Sequence, residues 1–313
     1  MPLTASNSSA TLARAKVGNY FRDVIDNHKL PAVPIVAGKV LQMIQDSNWN
    51  VEKLCRLLSD DAALSGRVLA VSRSPIFALR NPPNNLAAAV KALGLRALNT
   101  IVLANATHSL CLKGNKTSER LWNHSLAVAL AMRLLAKRGG YRDGDMAFLA
   151  GLMHDVRQMI FVIGDPQGFA MICEELLQGG GQMVDKEREA YDMDHTLIGM
   201  RLLEEWNLDH KIPQAALNHH SDVGEDGNNE LAGLIAVAEY VCGKAELGFF
   251  AVAPVPPPAA LTRWQLDGRK NCQDGGGCRQ SFQRRKRAFQ AGVTLTAQLP
   301  RILVKPAPSG APD

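Results

Sequence analysis

The sequence predicts an all-α fold: a multi-helix bundle, preceded by an N-terminal helical subdomain and followed by a weakly ordered C-terminal tail. Three observations carry this. Hydrophobic residues fill 46% of the 313 positions but aromatics only 5%, so the core must come from Leu, Ala, Val and Ile packed at close range. Between residues 20 and 250 the apolar positions recur at helical spacing, with no alternating strand pattern of convincing length. The segment ends carry Asn, Asp, Gly and Pro where helices start and stop.

The elements follow in order. Residues 1–19 are small and polar and read as a flexible leader, with a short helix at "KVGNYFRDVIDNH". The turn "LPAVP" precedes "IVAGKVLQMIQD", where Val36, Val40, Leu41 and Ile44 share one face. Asn50 is placed to cap "VEKLCRLLSD", and Asp60 or Asp61 to cap "AALSGRVLAVSRS". "NPPNN" breaks the chain, and "LAAAVKALG" ends at Gly94 before "LRALNTIVLANATHSLCL". Residues 20–112 therefore form the N-terminal helical subdomain. After the polar "KGNKTSE", residues 118–250 form the helical core, from "LWNHSLAVALAMRLLAKRGG" at 121–140 through "DMAFLAGLMHDVRQMIFVIG" to "NELAGLIAVAEYVCGKAELG". Residues 251–313 open with "APVPPPAA" and have no hydrophobic period, which marks a Pro-rich linker and a basic, disordered tail.

Charge and cysteine usage narrow the function classes. The net charge is +5, but residues 263–289 alone carry eight Lys or Arg against two acids, leaving −1 for the rest. Nucleic acid is thus not an expected partner, except through the basic tail at 279–287; a solvated tail is the plainer reading. The N-terminus has no apolar h-region, and no uninterrupted apolar run approaches the roughly 20 residues that span a bilayer. Six cysteines lie scattered at 55, 111, 173, 242, 272 and 278 without a CxxC pair, as reduced thiols do. The expected setting is the cytoplasm, with no membrane partner. Phosphate-loop, dinucleotide, HExxH and GxSxG signatures are absent, and "QGGGQ" and "DGGGC" read as plain loops.

Three apolar helices each carry polar residues that are costly to bury alone. His124 lies on the face of Ala127, Val128, Ala131 and Leu135; His154 and Asp155 interrupt "AFLAGLM" and "MIFVI"; Glu239 is the acid within "LAGLIAVAEYVC". Two imidazoles and two carboxylates suit a divalent metal, and equally suit a buried hydrogen-bond network without one. Adjacent helical residues point about 100° apart, so His154 and Asp155 reach one target only at a helix end or bend, or with Asp155 bridging from the flank.

The order His124, His154-Asp155, then a carboxylate on a later helix resembles the HD superfamily of metal-dependent phosphohydrolases. More narrowly, residues of about 28–250 resemble an HDOD domain, through "LPAVPIVAGKVLQMI", "LLSDDAALSGRVLAVSRSPIFALRNPPNNLAAAVKALGLRAL", "LWNHSLAVALAMRLLA", "AFLAGLMHDV", "DMDHTLIGMRLLEEWNL" and "ALNHHSD". The resemblance implies metal ligation by His124, His154, Asp155 and Glu239, with His195 and His219, or His220, as counterparts of further ligands. The bland roles stay open: Asp194 capping the helix at His195, and "NHHSD" as a surface turn. It leaves Mn, Fe, Zn or Mg as the divalent metal. Glu239 replaces the family's Asp, one methylene shorter. The Gly-Lys that follows the dyad in active cyclic-dinucleotide phosphodiesterases is replaced by Arg157-Gln158, and their Gly-Tyr-Pro signature is absent. Asp155 and Arg157 stand as the candidates for a catalytic role, Arg157 as a stand-in for the missing Lys. The expectation is a bacterial signal-transduction module that binds signalling proteins or a small ligand without hydrolysis; the alternative is a metal-dependent phosphohydrolase acting on a nucleotide or cyclic dinucleotide.

Overall fold

The computed structural model describes residues 35–46, 48–73, 81–111, 115–179, 181–220 and 229–244. The expected leader, its short helix, the Pro-rich linker and the basic tail lie outside them. Every regular element among the described residues is a helix, and the chain divides into two compact units whose boundary falls between Leu110 and Cys111.

The first unit holds α1 (Ile35–Gln45), α2 (Val51–Ser59), α3 (Ala62–Ser72) and α4 (Leu86–Ser109). The Asn50 side chain accepts from Lys53 N–H, Asp61 from Leu64 N–H and Asn85 from Ala88 N–H, each pairing one of the donors a helix start leaves open. Of the two acids expected to cap α3, Asp61 does so. Leu54, Leu58, Leu64, Val68, Leu98 and Val102 are fully buried. α4 packs against α1, α2 and α3. It breaks its helical dihedrals at Gly94, with φ of 73°, in the left-handed region that glycine enters without a Cβ penalty.

The second unit holds α5 (Lys116–Gly139), α6 (Gly144–Met153), α7 (Gln158–Gly164), α8 (Pro166–Leu177), α9 (Met183–Tyr191), α10 (His195–Glu205), α11 (Lys211–Asn218) and α12 (Glu230–Lys244). α5 is its axis: residues 126–132 are all buried, and α6, α7 and α12 pack on it. It starts earlier than the polar loop suggested, because Asn115 accepts from Ser118 N–H and caps it. α6 approaches α5 closely at Gly151, where a Cβ would stand 2.6 Å from Met132 Sδ and 2.8 Å from Ala129 Cα.

The expected single helix over 145–164 is two helices. Residues 154–157 form a turn between them, with Val156 N–H on Met153 O and Gln158 N–H on Asp155 O. By length and composition, 86–109 and 144–164 are each long and apolar enough to cross a membrane, although neither is an uninterrupted apolar run. The first is kinked at Gly94; the second is 83% buried within the protein and interrupted by charged residues, which is how a core element reads. The four described cysteines form no disulfide, and burial pushes Cys111, Cys173 and Cys242 up to about 12.

Candidate metal centre

The turn after α6 answers the geometric question posed by His154 and Asp155. The helix ends at Met153, the turn that follows is closed by i to i−3 hydrogen bonds, and both side chains reach one interior point. His124 arrives from the middle of α5 and Glu239 from α12. His154 Nε2 lies 3.2 Å from Asp155 Oδ2 and 3.4 Å from Glu239 Oε1; His124 Nε2 lies 3.6 and 4.0 Å from the same two atoms. The structure brings these four residues together in space, and they form the first candidate ligand group.

The other oxygen of Asp155 faces a second group. Asp155 Oδ1 is 3.6 Å from His195 Nε2 and 3.7 Å from His219 Nε2, and His195 Nε2 is 2.9 Å from His220 Nε2. Asp155, His195, His219 and His220 offer ligand atoms all within 4.8 Å of one another. Both weaker candidates, His195 and His219, therefore face the dyad, and His220 joins them from the exposed end of α11. The capping role of Asp194 also holds: its carboxylate accepts from Thr196 N–H and Oγ1–H, so the two readings of that segment coexist.

The ring nitrogens are arranged for coordination. His154 Nδ1–H donates to Gly151 O and His219 Nδ1–H donates to Ala216 O. A carbonyl only accepts, so each Nδ1 must carry the proton and each Nε2 can present its lone pair to the cavity. Glu187, buried on α9, accepts from both the backbone N–H and Nδ1–H of His195, which aims that ring in the same way.

Three buried polar atoms here, His154 Nε2, Asp155 Oδ1 and His219 Nε2, have no hydrogen-bond partner among the described residues. Their separations from neighbouring nitrogens and oxygens run from 3.2 Å, at the upper end of the hydrogen-bond range, to 3.7 Å, beyond it. Ligands about 2.1 Å from a common ion lie about 3.0 Å apart when cis and about 4.2 Å when trans. The donor set has the residue types and spacing to hold a divalent metal.

Without an ion, charge is shared among the side chains. Burial pushes the His154 imidazolium down, but Asp155 beside it, and then Glu239, hold it up to about 10. Burial likewise pushes Glu239 up, and the neighbouring His154 and His219 outweigh it, taking it down to about 2. Burial lowers His219, which stays neutral and free to ligate.

Arg157, the candidate substitute for a phosphate-binding lysine, is spent elsewhere. It is fully buried, and its guanidinium donates to the carbonyls of His154, His195, Thr196 and Ala216. It reaches backbone rather than a substrate. Sequence reasoning missed Glu187 and this clamp. The signal for Glu187 was present: Met183, Glu187 and Tyr191 stand at i, i+4 and i+8 on α9, and all three are buried.

The family model of the HDOD domain matches residues 30–222, which includes every ligand candidate except Glu239. An uncharacterized protein of Treponema pallidum (strain Nichols) is 23% identical over 211 residues, and the chain spans 40% of that relative's length. Among solved structures, an HDOD domain protein of unknown function from Geobacter sulfurreducens matches with a TM-score of 0.68 at 23% identity, over 92% of this chain and 98% of that one. A candidate phosphohydrolase from Shewanella amazonensis SB2B matches at 0.61 and 23%, over 88% and 97%. A candidate signal transduction protein from Marinobacter aquaeolei VT8 matches at 0.66 and 17%, over 90% and 61%. These likenesses establish the helical fold.

Proposed function

The chain belongs to the HDOD domain family, and from that premise we propose that it is a regulatory module whose HD-type interior binds divalent metal. The observation that carries this is the set of three partnerless ligand atoms, His154 Nε2, Asp155 Oδ1 and His219 Nε2, buried at metal-ligand separations from their neighbours. The ion substitutes for hydrogen bonds that the cavity does not make, and it ties α5, α6, α10, α11 and α12 together. Because its ligands come from five segments, metal occupancy couples to the packing of this unit. The reading as a binder of signalling proteins or a small ligand is supported by what the site lacks: Gln158 is neutral and Arg157 is committed to carbonyls, so neither balances a phosphate.

A second reading, a metal-dependent phosphohydrolase, is favoured by one specific feature. Asp155 turns one oxygen to each ligand group, so the residues would suit two ions of the kind that stabilise the attacking and leaving oxygens in phosphoryl transfer. When bound, the metal would supply Lewis acidity and activate water; His124, His154, Asp155, Glu239, His195, His219 and His220 are the residues to hold it.

Assay of purified protein with added Mn²⁺ against bis(p-nitrophenyl) phosphate and cyclic dinucleotides separates the two. The regulatory reading expects metal-dependent thermal stabilisation with no turnover. Turnover that disappears in Asp155→Ala would establish the hydrolase instead, and loss of both effects in the wild type would remove the metal centre altogether.

A further inference from the structure

We infer that Arg157 is a positioning residue, a buried guanidinium clamp that sets the spacing between the backbone segments bearing His154, His195 and His219, and that Gly199 is the groove it requires. The argument begins with its partners. One nitrogen donates to the carbonyls of His195 and Thr196, at the start of α10; the other donates to His154 O, in the turn after α6, and to Ala216 O, near the end of α11. Two of these carbonyls belong to ligand residues themselves. A third, Ala216 O, also accepts from His219 Nδ1–H, so the guanidinium and the His219 ring are held by one oxygen. A guanidinium presents its donors in a rigid planar fork, and three separate segments bound to one plane cannot slide independently.

The groove is as specific as the clamp. The aliphatic stem of Arg157 passes so close to α10 that a Cβ at Gly199 would lie 1.7 Å from Arg157 Cδ and 2.0 Å from Cγ. No rotation of the terminal guanidinium relieves a clash with mid-stem carbons, so any side chain at 199 must displace the arginine. Gly199 has ordinary helical dihedrals and needs no left-handed freedom. Its bareness serves the arginine.

The clamp acts unequally on the two ligand groups. It touches α10, which carries His195, and the end of α11, which leads into His219 and His220, and reaches the other group only through His154. Removing it therefore loosens the second group most: His124 and Glu239 stay fixed in α5 and α12, and in the first group only the turn bearing His154 and Asp155 loses a contact.

The metal part of this inference rests on the proposed metal centre, and the experiment keeps the two separable. Mn²⁺ and Zn²⁺ titrations of the full chain would be compared for wild type, Arg157→Lys and Gly199→Ala, with a double-mutant cycle of Arg157→Ala and Gly199→Ala followed by thermal unfolding of metal-free protein. Lysine keeps the charge and stem but not the planar fork. The clamp predicts that Arg157→Lys and Gly199→Ala each weaken the second ion about 10- to 100-fold and change the first far less. It also predicts that Gly199→Ala lowers the unfolding midpoint by several degrees in the wild-type background and has no such effect once Arg157 is alanine. Unchanged affinity for both ions, or equal loss at both, overturns the positioning role. If the wild type binds no metal, the proposed function falls, and the cycle alone decides: a vanished Gly199→Ala penalty upholds the clamp, and additive penalties overturn it.

Discussion

At His154 one ring divides two tasks between its nitrogens. Nδ1 is anchored on Gly151 O, and Nε2 sits between two carboxylates with no hydrogen-bond partner. In the metal-free protein a proton on Nε2 is the metal's competitor, and the sign of its effect follows from linkage. His154, raised from 6.5 to about 10, contributes stability in full below pH 6.5 and loses it as pH rises through about 10. Glu239, lowered from 4.5 to about 2, contributes in full above pH 4.5 and loses it as pH falls toward 2. Metal-free protein should therefore draw most stability from this pair between about pH 4.5 and 6.5. A pH series of thermal midpoints checks this, and Glu239→Gln should flatten its acid limb. Glu187 offers a second residue-scale test. Glu187→Gln removes the charge that orients His195, and metal affinity measured by competition with a chelating dye should fall about 10- to 100-fold. The ligands His124, His154, Asp155 and Glu239 were legible in sequence because a polar group in an apolar helix is conspicuous. Glu187 carried only the weaker signal of sharing a face with Met183 and Tyr191, easily overlooked because α9 is otherwise charged.

The decisive event among the elements is the break between α6 and α7. "GLMHDVRQMI" reads as one continuous helix because apolar runs flank its polar centre on both sides, and the turn at 154–157 carries no Gly or Pro to announce it. The reason for the break lies in tertiary contacts that sequence periodicity does not register: the buried Arg157 takes the carbonyl of His154 and those of two other helices. The starts of α2 and α3, by contrast, were legible, since Asn50 and Asp61 are local signals that act within three residues; Asn85 and Asn115 cap α4 and α5 in the same way but went unread inside polar loops. Gly151 belongs to the same joint. It brings α6 against α5 and so sets the reach of His154 toward His124. Gly151→Ala forces a methyl onto Ala129 backbone and should cost about 1–3 kcal/mol in chemical denaturation, with a matching drop in metal affinity.

Over the whole molecule, the site-bearing unit is organised around one point where α5, α6, α10, α11 and α12 converge. An ion bound there at a hundred times its dissociation constant would add about 2.7 kcal/mol to stability, so chelator should lower the unfolding midpoint and restored metal should raise it. The all-helical architecture was legible from composition and spacing, which are whole-chain properties. The pairing of the two ligand groups through Asp155 was not, since nothing in the order of residues states which oxygen of a carboxylate faces which histidine. The central claim is that this convergence is a metal centre, and the most direct measurement is elemental analysis of chain dialysed against Mn²⁺ and then against buffer, for wild type and Asp155→Ala. The account predicts at least one ion retained per wild-type chain and none in the variant. A wild type free of metal, or a variant that keeps it, would contradict the claim.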